Sequence, residues 1–252
     1  MKPSVFALVA CLTLALGSNA FATNLVINGD FQDLRDIGFW SDYSYNKYYV
    51  GPELAEASFT VMTQASSAHT SWLGFYDHTF GTSSGRYFVA NCSSDTGIVW
   101  GSTPIVVSQA HTPYRFEAWI SKVFASDPSP PVLTFQVGTG WTSLTDLGTT
   151  ASLSGVSAGV WLHTYVDFEF ESTGTYYLTL RNSNNSVVGN DLGLDDIYFG
   201  LRSEAPSFGS LGGTSNPTTF SPLFVPEPST YAMALAGLAC GGYSMLRRRK
   251  HA

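Results

Sequence analysis

The chain has 252 residues and a net charge of −7, with 44% hydrophobic residues and 12% charged residues, about half the usual charged share. This length and hydrophobic content allow a sizeable core, which excludes a fibrous or wholly disordered protein. Residues 23–225 contain seven basic and 18 acidic residues, a net charge of −11, which argues against nucleic acid as a partner because its phosphates would be repelled.

The first 22 residues are typical of a secretory signal peptide. Lys2 supplies a short basic region, residues 5–16 form an apolar run, and an Ala-Phe-Ala triplet ends the segment. The pattern predicts export through the Sec machinery and cleavage between Ala22 and Thr23. A lipoprotein box at residues 8–11 is the alternative, although the apolar run before its cysteine is short.

The middle of the chain has the pattern of one all-β domain, residues 23–202. Short runs of alternating polarity are divided by Gly, Ser, Asn, Thr and Pro, and no stretch has the 3.6-residue period of a helix. Eight or more strands in a domain of about 180 residues are typical of a β-sandwich or jelly roll. The clearest predicted strands are Leu25–Asn28, Ser58–Thr63, Arg86–Asn91, Tyr114–Lys122, Val132–Val137, Leu162–Phe170, Thr175–Arg181 and Gly193–Phe199.

The alternation also predicts which side chains of three strands point into the core. The opposite faces mix aromatic and charged side chains, which makes them candidates for ligand binding. The predicted inward residues are Tyr114, Phe116, Ala118 and Ile120, then Leu162, Val166, Phe168 and Phe170, and finally Tyr176, Leu178 and Leu180.

Cysteine usage indicates that no disulfide framework holds the domain. Cys11 lies in the predicted signal peptide and Cys240 in the predicted tail helix. Cys92 is therefore alone in the domain and is predicted to be a free, buried thiol.

The C-terminal end has a separate organisation. Residues 203–224 are rich in turn formers and predict a flexible linker. Residues 230–246 are uncharged, and at 1.5 Å per residue a helix of that length spans about 25 Å, the short limit for crossing a membrane. Four basic residues follow, and the positive-inside rule places this anchor in the cytoplasm. They are Arg247, Arg248, Arg249 and Lys250.

A sorting motif stands directly before the apolar segment, at Val225, Pro226, Glu227 and Pro228. The motif, the short helix and the basic cluster, over residues 225–252, resemble the PEP-CTERM sorting signal of Gram-negative bacteria. The resemblance implies recognition of an inner-membrane-anchored intermediate by exosortase, a membrane cysteine transpeptidase or protease. It further implies a final place at the cell surface, outer membrane or extracellular matrix, and an association with exopolysaccharide and biofilm. A simple tail anchor is the alternative.

The two ends of the domain carry a second resemblance. Residues 24–32 (NLVINGDFQ) with Gly38-Phe39-Trp40, and residues 193–199 (GLDDIYF), are similar to the opening and closing segments of galactose-binding-like jelly rolls, including carbohydrate-binding modules. The resemblance implies a structural Ca²⁺ where the first and last strands meet. The family pattern usually has Glu where this chain has Gln32, and in the alternative interpretation the aspartates only cap turns. By motif match the ligands would be Asp30, Gln32, Asp195 or Asp196, with backbone carbonyls near Asn28 and Asp30.

Sugar binding requires aromatic rings beside hydrogen-bonding groups, and two segments offer them. Trp40, Trp100 and Trp161 are expected to be packing residues instead. The first candidate is the loop of residues 40–49, with Tyr43, Tyr45, Tyr48 and Tyr49. The second is a sheet face with Glu117, Trp119, Tyr177 and Arg181, provided that their strands are neighbours.

Catalysis has little support in the sequence. The histidines are scattered without zinc-site spacing, and no nucleophile elbow is present. A glycosidase needs two carboxylates facing each other across a cleft, whereas Asp167, Glu169 and Glu171 follow one strand. We therefore predict a non-enzymatic surface or matrix protein that binds polysaccharide. A purely structural surface protein without a glycan site, and a glycoside hydrolase acting on exopolysaccharide, are the alternatives.

Overall fold

The structure is a computed structural model that describes residues 23–34, 38–47, 49, 51, 53–126, 128–150, 153–186 and 188–206, and the backbone of 214–215 and 224–225. The predicted signal peptide, the tail helix, the basic anchor and the Pro-Glu-Pro part of the sorting motif lie outside these residues. Within the described residues, no helix has both the length and the apolar character needed to cross a membrane.

The described chain is almost entirely strands, as the sequence predicts, with single-turn 3-10 helices at Ala65–Ser67 and Arg202–Glu204. The strands are β1 (Phe39–Trp40), β2 (Ser44–Tyr45), β3 (Ser58–Met62), β4 (Tyr87–Asn91), β5 (Ile98–Ser102), β6 (Ile105–Val107), β7 (Pro113–Lys122), β8 (Leu133–Gly138), β9 (Leu144–Thr149), β10 (Leu162–Phe170), β11 (Gly174–Asn182), β12 (Leu192–Leu201), β13 (Thr214–Ser215) and β14 (Phe224–Val225).

These strands form two sheets that pack face to face. The six-stranded sheet has the order β1-β5-β11-β8-β9, with β6 also paired to β11. The eight-stranded sheet has the order β13-β10-β7-β12-β4-β3-β2, with β14 also paired to β10. Its rim pairs β2–β3, β10–β13 and β10–β14 are parallel, and the other pairs in both sheets are antiparallel. The predicted all-β sandwich is therefore confirmed.

The main core lies between the two sheets and is built from the predicted inward residues. Phe116 of β7 and Phe135 of β8 meet edge to face with ring centres 4.8 Å apart, so this contact joins one sheet to the other. Trp100 of β5 is fully buried in the same core, as expected. All eleven predicted inward side chains are buried, because alternate residues of a strand face the same side.

Seven of the eight predicted strands are present, each within two residues of its predicted ends. The prediction of a strand at Leu25–Asn28 is wrong: the Leu25 amide donates to the Phe199 carbonyl (2.8 Å), but the Asn24 side chain takes the adjacent positions and no ladder forms. Asn24 Nδ2 donates to the Ile197 carbonyl (2.9 Å), and Asn24 Oδ1 accepts from the amides of Val26 and Phe199 (3.0 Å each). Asparagine commonly competes with the sheet ladder in this way.

The eight-stranded sheet is covered on its second face as well. Residues 63–86, between β3 and β4, cross this face, and we name them the cover segment. Tyr87 Oη accepts from the Ala65 amide (2.8 Å) and donates to the Phe75 carbonyl (3.2 Å), while Trp161 Nε1 donates to the Tyr76 carbonyl (3.0 Å). A second apolar cluster, which includes Trp72, Trp119 and Trp161, fills the space between segment and sheet. Trp161 is thus a packing residue, as expected.

The buried thiol of Cys92 gives a direct test of this core. Cys92 is fully buried and is the free cysteine of the described residues, and burial raises the pKa of its thiol. Because the thiolate is the reactive form, we expect a soluble chain of residues 23–223 to react with a thiol-specific reagent only after denaturation. Stoichiometric labelling of the folded protein at pH 8, measured by absorbance, would contradict this burial.

Candidate functional site

One row of residues crosses the six-stranded sheet on its outer face, the face that points away from the main core. Trp40 of β1 lies opposite Gly101 of β5, Gly101 opposite Thr179 of β11, and Thr179 opposite Gln136 of β8. Gln136 in turn lies opposite Asp146 of β9. Since side chains alternate along each strand, this row shares one face, and the cover segment does not lie on it.

Gly101 makes room for the indole of Trp40. A Cβ atom at position 101 would lie 2.4 Å from Cε2 and Nε1 of Trp40, so the ring rests directly against the β5 backbone. The expectation that Trp40 belongs to the core is wrong, because its neighbour Phe39 fills the core position and alternation turns Trp40 outward. Trp40 is half-buried there.

Two further rings meet Trp40 on this outer face. Trp141, in the turn between β8 and β9, is 40% exposed, and its ring centre lies 4.3 Å from that of Trp40 at an interplanar angle of 76°. Tyr177 of β11 lies 3.9 Å from Trp141 at 57°. We name Trp40, Trp141 and Tyr177 the aromatic face. Trp40 and Trp141 line a pocket of about 660 Å³. A separate pocket of about 340 Å³ lies at the N-terminal turn, residues 28–33.

A chain of hydrogen bonds continues from the aromatic face along the same row. Thr179 Oγ1 donates to Gln136 Oε1 (2.9 Å), and Gln136 Nε2 donates to Asp146 Oδ1 (2.7 Å). Thr179 and Gln136 are buried, whereas Asp146 is exposed at the edge of the sheet. The outer face thus combines one exposed ring, Trp141, and two half-buried rings with an oriented polar row that ends in a carboxylate.

The predicted tyrosine loop does not form a set of exposed rings. Tyr43 is buried in the main core, where its Oη accepts from Asn182 Nδ2 (3.3 Å) and burial raises its pKa. Tyr45 stacks on Phe59 with ring centres 4.8 Å apart, and Tyr49 packs against the second apolar cluster. Tyr48 lies outside the described residues. The expectation of solvent-facing rings is therefore wrong for Tyr43, because its ring is buried in the main core.

The predicted sheet face is divided between the two sheets. Glu117 and Trp119 belong to β7, and Tyr177 and Arg181 belong to β11 in the other sheet, so the four do not share a surface. Glu117 and Trp119 are also buried, because the cover segment closes their face of the sheet. Arg181 is exposed and donates to the carbonyl and hydroxyl of Thr96 (2.9 and 3.0 Å). Only Tyr177 joins the aromatic face.

The row under the cover segment is built from charged and aromatic groups. Trp119 is stacked between His78 (3.7 Å between ring centres) and His163 (4.8 Å). His163 Nε2 and Glu117 Oε2 are 3.2 Å apart, and His78 Nδ1 and Asp196 Oδ2 are 2.6 Å apart. The His78–Asp196 contact joins the cover segment to the sheet, whereas Glu117 Oε1 is buried without a hydrogen-bond partner among the described residues.

Asp195 and Asp196 face this network because of a bulge in β12 between Asp195 and Tyr198, where Asp196 has a φ of 45°. Asp195 is fully buried and accepts from the amides of His78 (2.7 Å), Thr79 (3.1 Å) and Asp196 (2.9 Å). Burial, and then the adjacent Asp196 carboxylate, raise the pKa of Asp195 well above its ordinary value. The two carboxylates thus bind the cover segment.

The predicted calcium ligands converge only in part, because Asp30 and Asp196 line one pocket while the side chains of Gln32 and Asp195 are engaged elsewhere. Asp195 and Asp196 are bonded to His78 and Thr79, while Gln32 is bonded to backbone groups in the N-terminal turn. Among the residues that the structure describes, no group of three or more His, Cys, Asp or Glu side chains is arranged to hold a metal ion. This donor set does not fit the calcium site that the resemblance implies.

Sequence reasoning missed the central residue of the aromatic face, Trp141. It lies directly after Gly138-Thr139-Gly140 and before Thr142-Ser143, and a tryptophan in a short turn of glycine and small polar residues is a signal for an exposed ring. Gly101, Gln136 and Asp146 carry no such signal, because their roles depend on cross-strand pairing.

The C-terminal residues 224–250 match the PEP-CTERM protein-sorting motif, which confirms the sorting signal predicted from the sequence and marks the chain as an exported protein. No curated protein matches the chain in sequence.

Several solved structures are similar to the chain at low identity. The enzymatically active domain of bacteriophage CBA120 tailspike protein 4 is 8% identical with a TM-score of 0.42, and the match covers 71% of this chain but only 21% of the tailspike. A family 16 carbohydrate-binding module is 15% identical with a TM-score of 0.32, over 48% of this chain and 79% of the module. The CBM22-1 and GH10 modules of Clostridium thermocellum xylanase 10B are 9% identical with a TM-score of 0.38, over 73% and 29%. Scores below 0.5 assign neither ligand nor activity, so any assignment must come from the residues of this chain.

The raised pKa of Asp195 predicts a pH dependence of stability. Between the pKa of Asp195 in the unfolded chain and its raised pKa in the folded state, only the folded state keeps the proton. Protonation of Asp195 therefore adds to the free energy of unfolding at low pH. This contribution falls as pH rises through the raised pKa, at a slope on the order of 1 kcal/mol per pH unit. We expect the Tm of the wild type, measured relative to that of Asp195→Asn, to fall between pH 4 and pH 8.

Thermal unfolding across that range measures the difference. Asp95→Asn, which removes an exposed carboxylate from the loop between β4 and β5, controls for the change in net charge. Parallel Tm profiles for the wild type and Asp195→Asn would show that Asp195 does not titrate differently in the folded state.

Proposed function

We propose that this exported protein is a non-enzymatic surface or matrix protein whose aromatic face binds polysaccharide. The observation that carries the proposal is Trp141, a tryptophan with 40% of its surface exposed, held against Trp40 and Tyr177 by contacts of 4.3 and 3.9 Å. An exposed ring fixed on a rigid sheet gives a sugar an apolar surface at low entropic cost, because the protein groups are already ordered.

The angles between the rings favour one form of ligand. Planes at 76° and 57° make a step on the sheet surface and not a flat platform. A stepped surface fits a single soluble chain, whose successive sugars turn relative to one another, better than the flat face of a crystalline polysaccharide. We therefore expect binding of a short stretch of a soluble glycan, with one sugar stacked on Trp141.

The charge of the site favours one class of sugar. Asp146 ends the polar row on the outer face, Asp42 lines the neighbouring pocket, and residues 23–225 carry a net charge of −11. Carboxylates accept hydrogen bonds from sugar hydroxyls and repel uronates and sulfates. Neutral or amino sugars are the expected ligands.

Sorting brings the domain to its ligand. We infer that Sec exports the chain, that the signal peptide is cleaved after Ala22, and that Arg247–Lys250 remain in the cytoplasm while exosortase acts near Glu227. The product is then placed at the cell surface, the outer membrane or the extracellular matrix, where exopolysaccharide and biofilm supply glycans. The match to the PEP-CTERM motif supports this sequence of steps.

The glycoside hydrolase alternative finds no support in the position of its candidate carboxylates. Asp167 forms a two-point contact with Arg115 (2.8 and 3.0 Å) and a further ion pair with Arg202 (3.2 Å). Glu169 lies on the same strand and the same face. Two carboxylates side by side cannot flank a glycosidic bond. The remaining alternative is a purely structural surface protein without a glycan site.

Removing Trp141 tests the glycan site. We expect Trp141→Ala to lower affinity for a neutral soluble polysaccharide at least about tenfold, and Tyr177→Ala to lower it less, because stacking on the most exposed ring contributes the larger part. Affinity electrophoresis of residues 23–223 against neutral, amino and uronate-rich polysaccharides measures the change. Phe80→Ala is the matched control, since Phe80 is 59% exposed on the other side of the sandwich. Absence of binding by the wild type to every glycan would favour the structural alternative.

The processing steps have their own test. We expect the intact mass of the protein from its native host to correspond to a chain that begins at Thr23 and lacks residues 231–252. A host strain without exosortase should retain the longer chain in the membrane fraction. Finding residues 23–252 intact in the membrane of the normal host would indicate a simple tail anchor.

A further inference from the structure

The side chain of Gln32 joins two distant segments at the N-terminal turn, residues 28–33. Its Nε2 donates to the backbone carbonyls of Asp30 (2.7 Å) and Arg86 (2.8 Å), and its Oε1 accepts from the Arg86 amide (3.2 Å). Arg86 is the residue directly before β4. One side chain therefore uses both hydrogens of its amide group to draw two carbonyl oxygens together.

This turn needs such a connection. Asn28 and Phe31 have φ values of 53° and 56°, in the left-handed region that residues with a Cβ seldom occupy. The turn places Phe31, fully buried, against Phe39 (5.4 Å between ring centres) and Phe88 (5.8 Å). The Asn28 side chain holds the turn from within through Asp33, while Gln32 holds it to the sheet.

The turn lies where the resemblance to galactose-binding-like domains implies a calcium ion. The Gly29 carbonyl accepts from the Ile197 amide (2.9 Å), so the turn is in contact with β12, the last strand of the domain proper. Backbone carbonyl oxygens that converge on one point are ligands that Ca²⁺ prefers. Here an N–H donor group occupies that point, and it already satisfies both carbonyls.

Without a cation, the charges around the turn favour an amide over a carboxylate at position 32. Asp30 and Asp33 flank Gln32, so a glutamate at this position would place three carboxylates within four residues. A glutamate would also face the two carbonyl oxygens without a proton to give them. The glutamine removes both sources of repulsion.

We propose that the amide group of Gln32 replaces a structural calcium ion in this domain. Its two N–H groups perform the cross-linking that a cation performs in the folds that the chain resembles, and the domain is stable without calcium. One substitution is expected to create a cation site, because a carboxylate at position 32 would meet the carbonyls of Asp30 and Arg86 with the Asp30 carboxylate nearby in sequence.

Three variants of a chain of residues 23–223 test this proposal by thermal unfolding in 5 mM CaCl₂ and in EDTA. We expect the wild type to have the same Tm in both buffers. Gln32→Met, which keeps the length of the side chain and removes its hydrogen bonds, should lower Tm by about 2–6 °C equally in both buffers. Gln32→Glu should lower Tm in EDTA by at least as much and recover it in CaCl₂.

The proposal is overturned by any of three results. A rise in wild-type Tm with calcium, or saturable calcium binding by titration calorimetry, would show that the amide has not replaced the ion. A Gln32→Met variant as stable as the wild type would show that the amide does not hold the turn. Failure of calcium to raise the Tm of a folded Gln32→Glu variant would show that a cation has no position there. If Gln32→Glu does not fold in EDTA, refolding it with and without calcium gives the same decision.

Discussion

Trp119, His163 and Asp195 lie side by side on the three central strands of the eight-stranded sheet, on the face that the cover segment closes. Trp119 stacks between two imidazole rings, one of which, His78, belongs to that segment, and the segment buries this part of the face. Polar groups buried in this way must be paired, because an unpaired one costs several kcal/mol, of order 2–7. Asp195 and Asp196 meet that requirement through contacts with His78 and Thr79, whereas Glu117 is paired at Oε2 with His163 and has no hydrogen-bond partner at Oε1 among the described residues.

Closure of one sheet determines where the protein can meet a ligand. Among the residues that the structure describes, no comparable segment crosses the six-stranded sheet, and Trp141 remains accessible on its outer face. Gly101 is central to this face because it lets an indole lie flat on the backbone and so brings Trp40 within reach of Trp141. The eight-stranded sheet thus packs against other parts of the chain on both faces, and the six-stranded sheet carries the surface that is proposed to bind glycan.

The period-two pattern of the sequence was sufficient to predict the long strands, as β7, β10 and β11 show, because each has one face in the main core. It could not predict that the second face of β7 is also buried, since the cover segment comes from a distant part of the chain. Leu25–Asn28 reads as a strand, yet the side chain of Asn24 takes over its pairing. The sequence of Trp40 suits a core residue, and only its place in β1, where Phe39 fills the core position, turns its ring outward. The sorting motif was predictable in full because its recognition depends on residue order and not on folding.

The single buried thiol of Cys92 has a consequence for the timing of export. A domain whose described residues contain no disulfide can reach its folded state equally in the reducing cytoplasm and in the oxidising envelope, so redox conditions do not delay its folding until secretion is complete. The delay that the proposed Sec route needs is then supplied by folding kinetics. Pairing of strands as distant as β4 and β12 requires closure of long loops, and sandwiches of this kind fold in about milliseconds to seconds. For the proposed Sec route, slow folding of this topology gives the channel time to receive an unfolded chain.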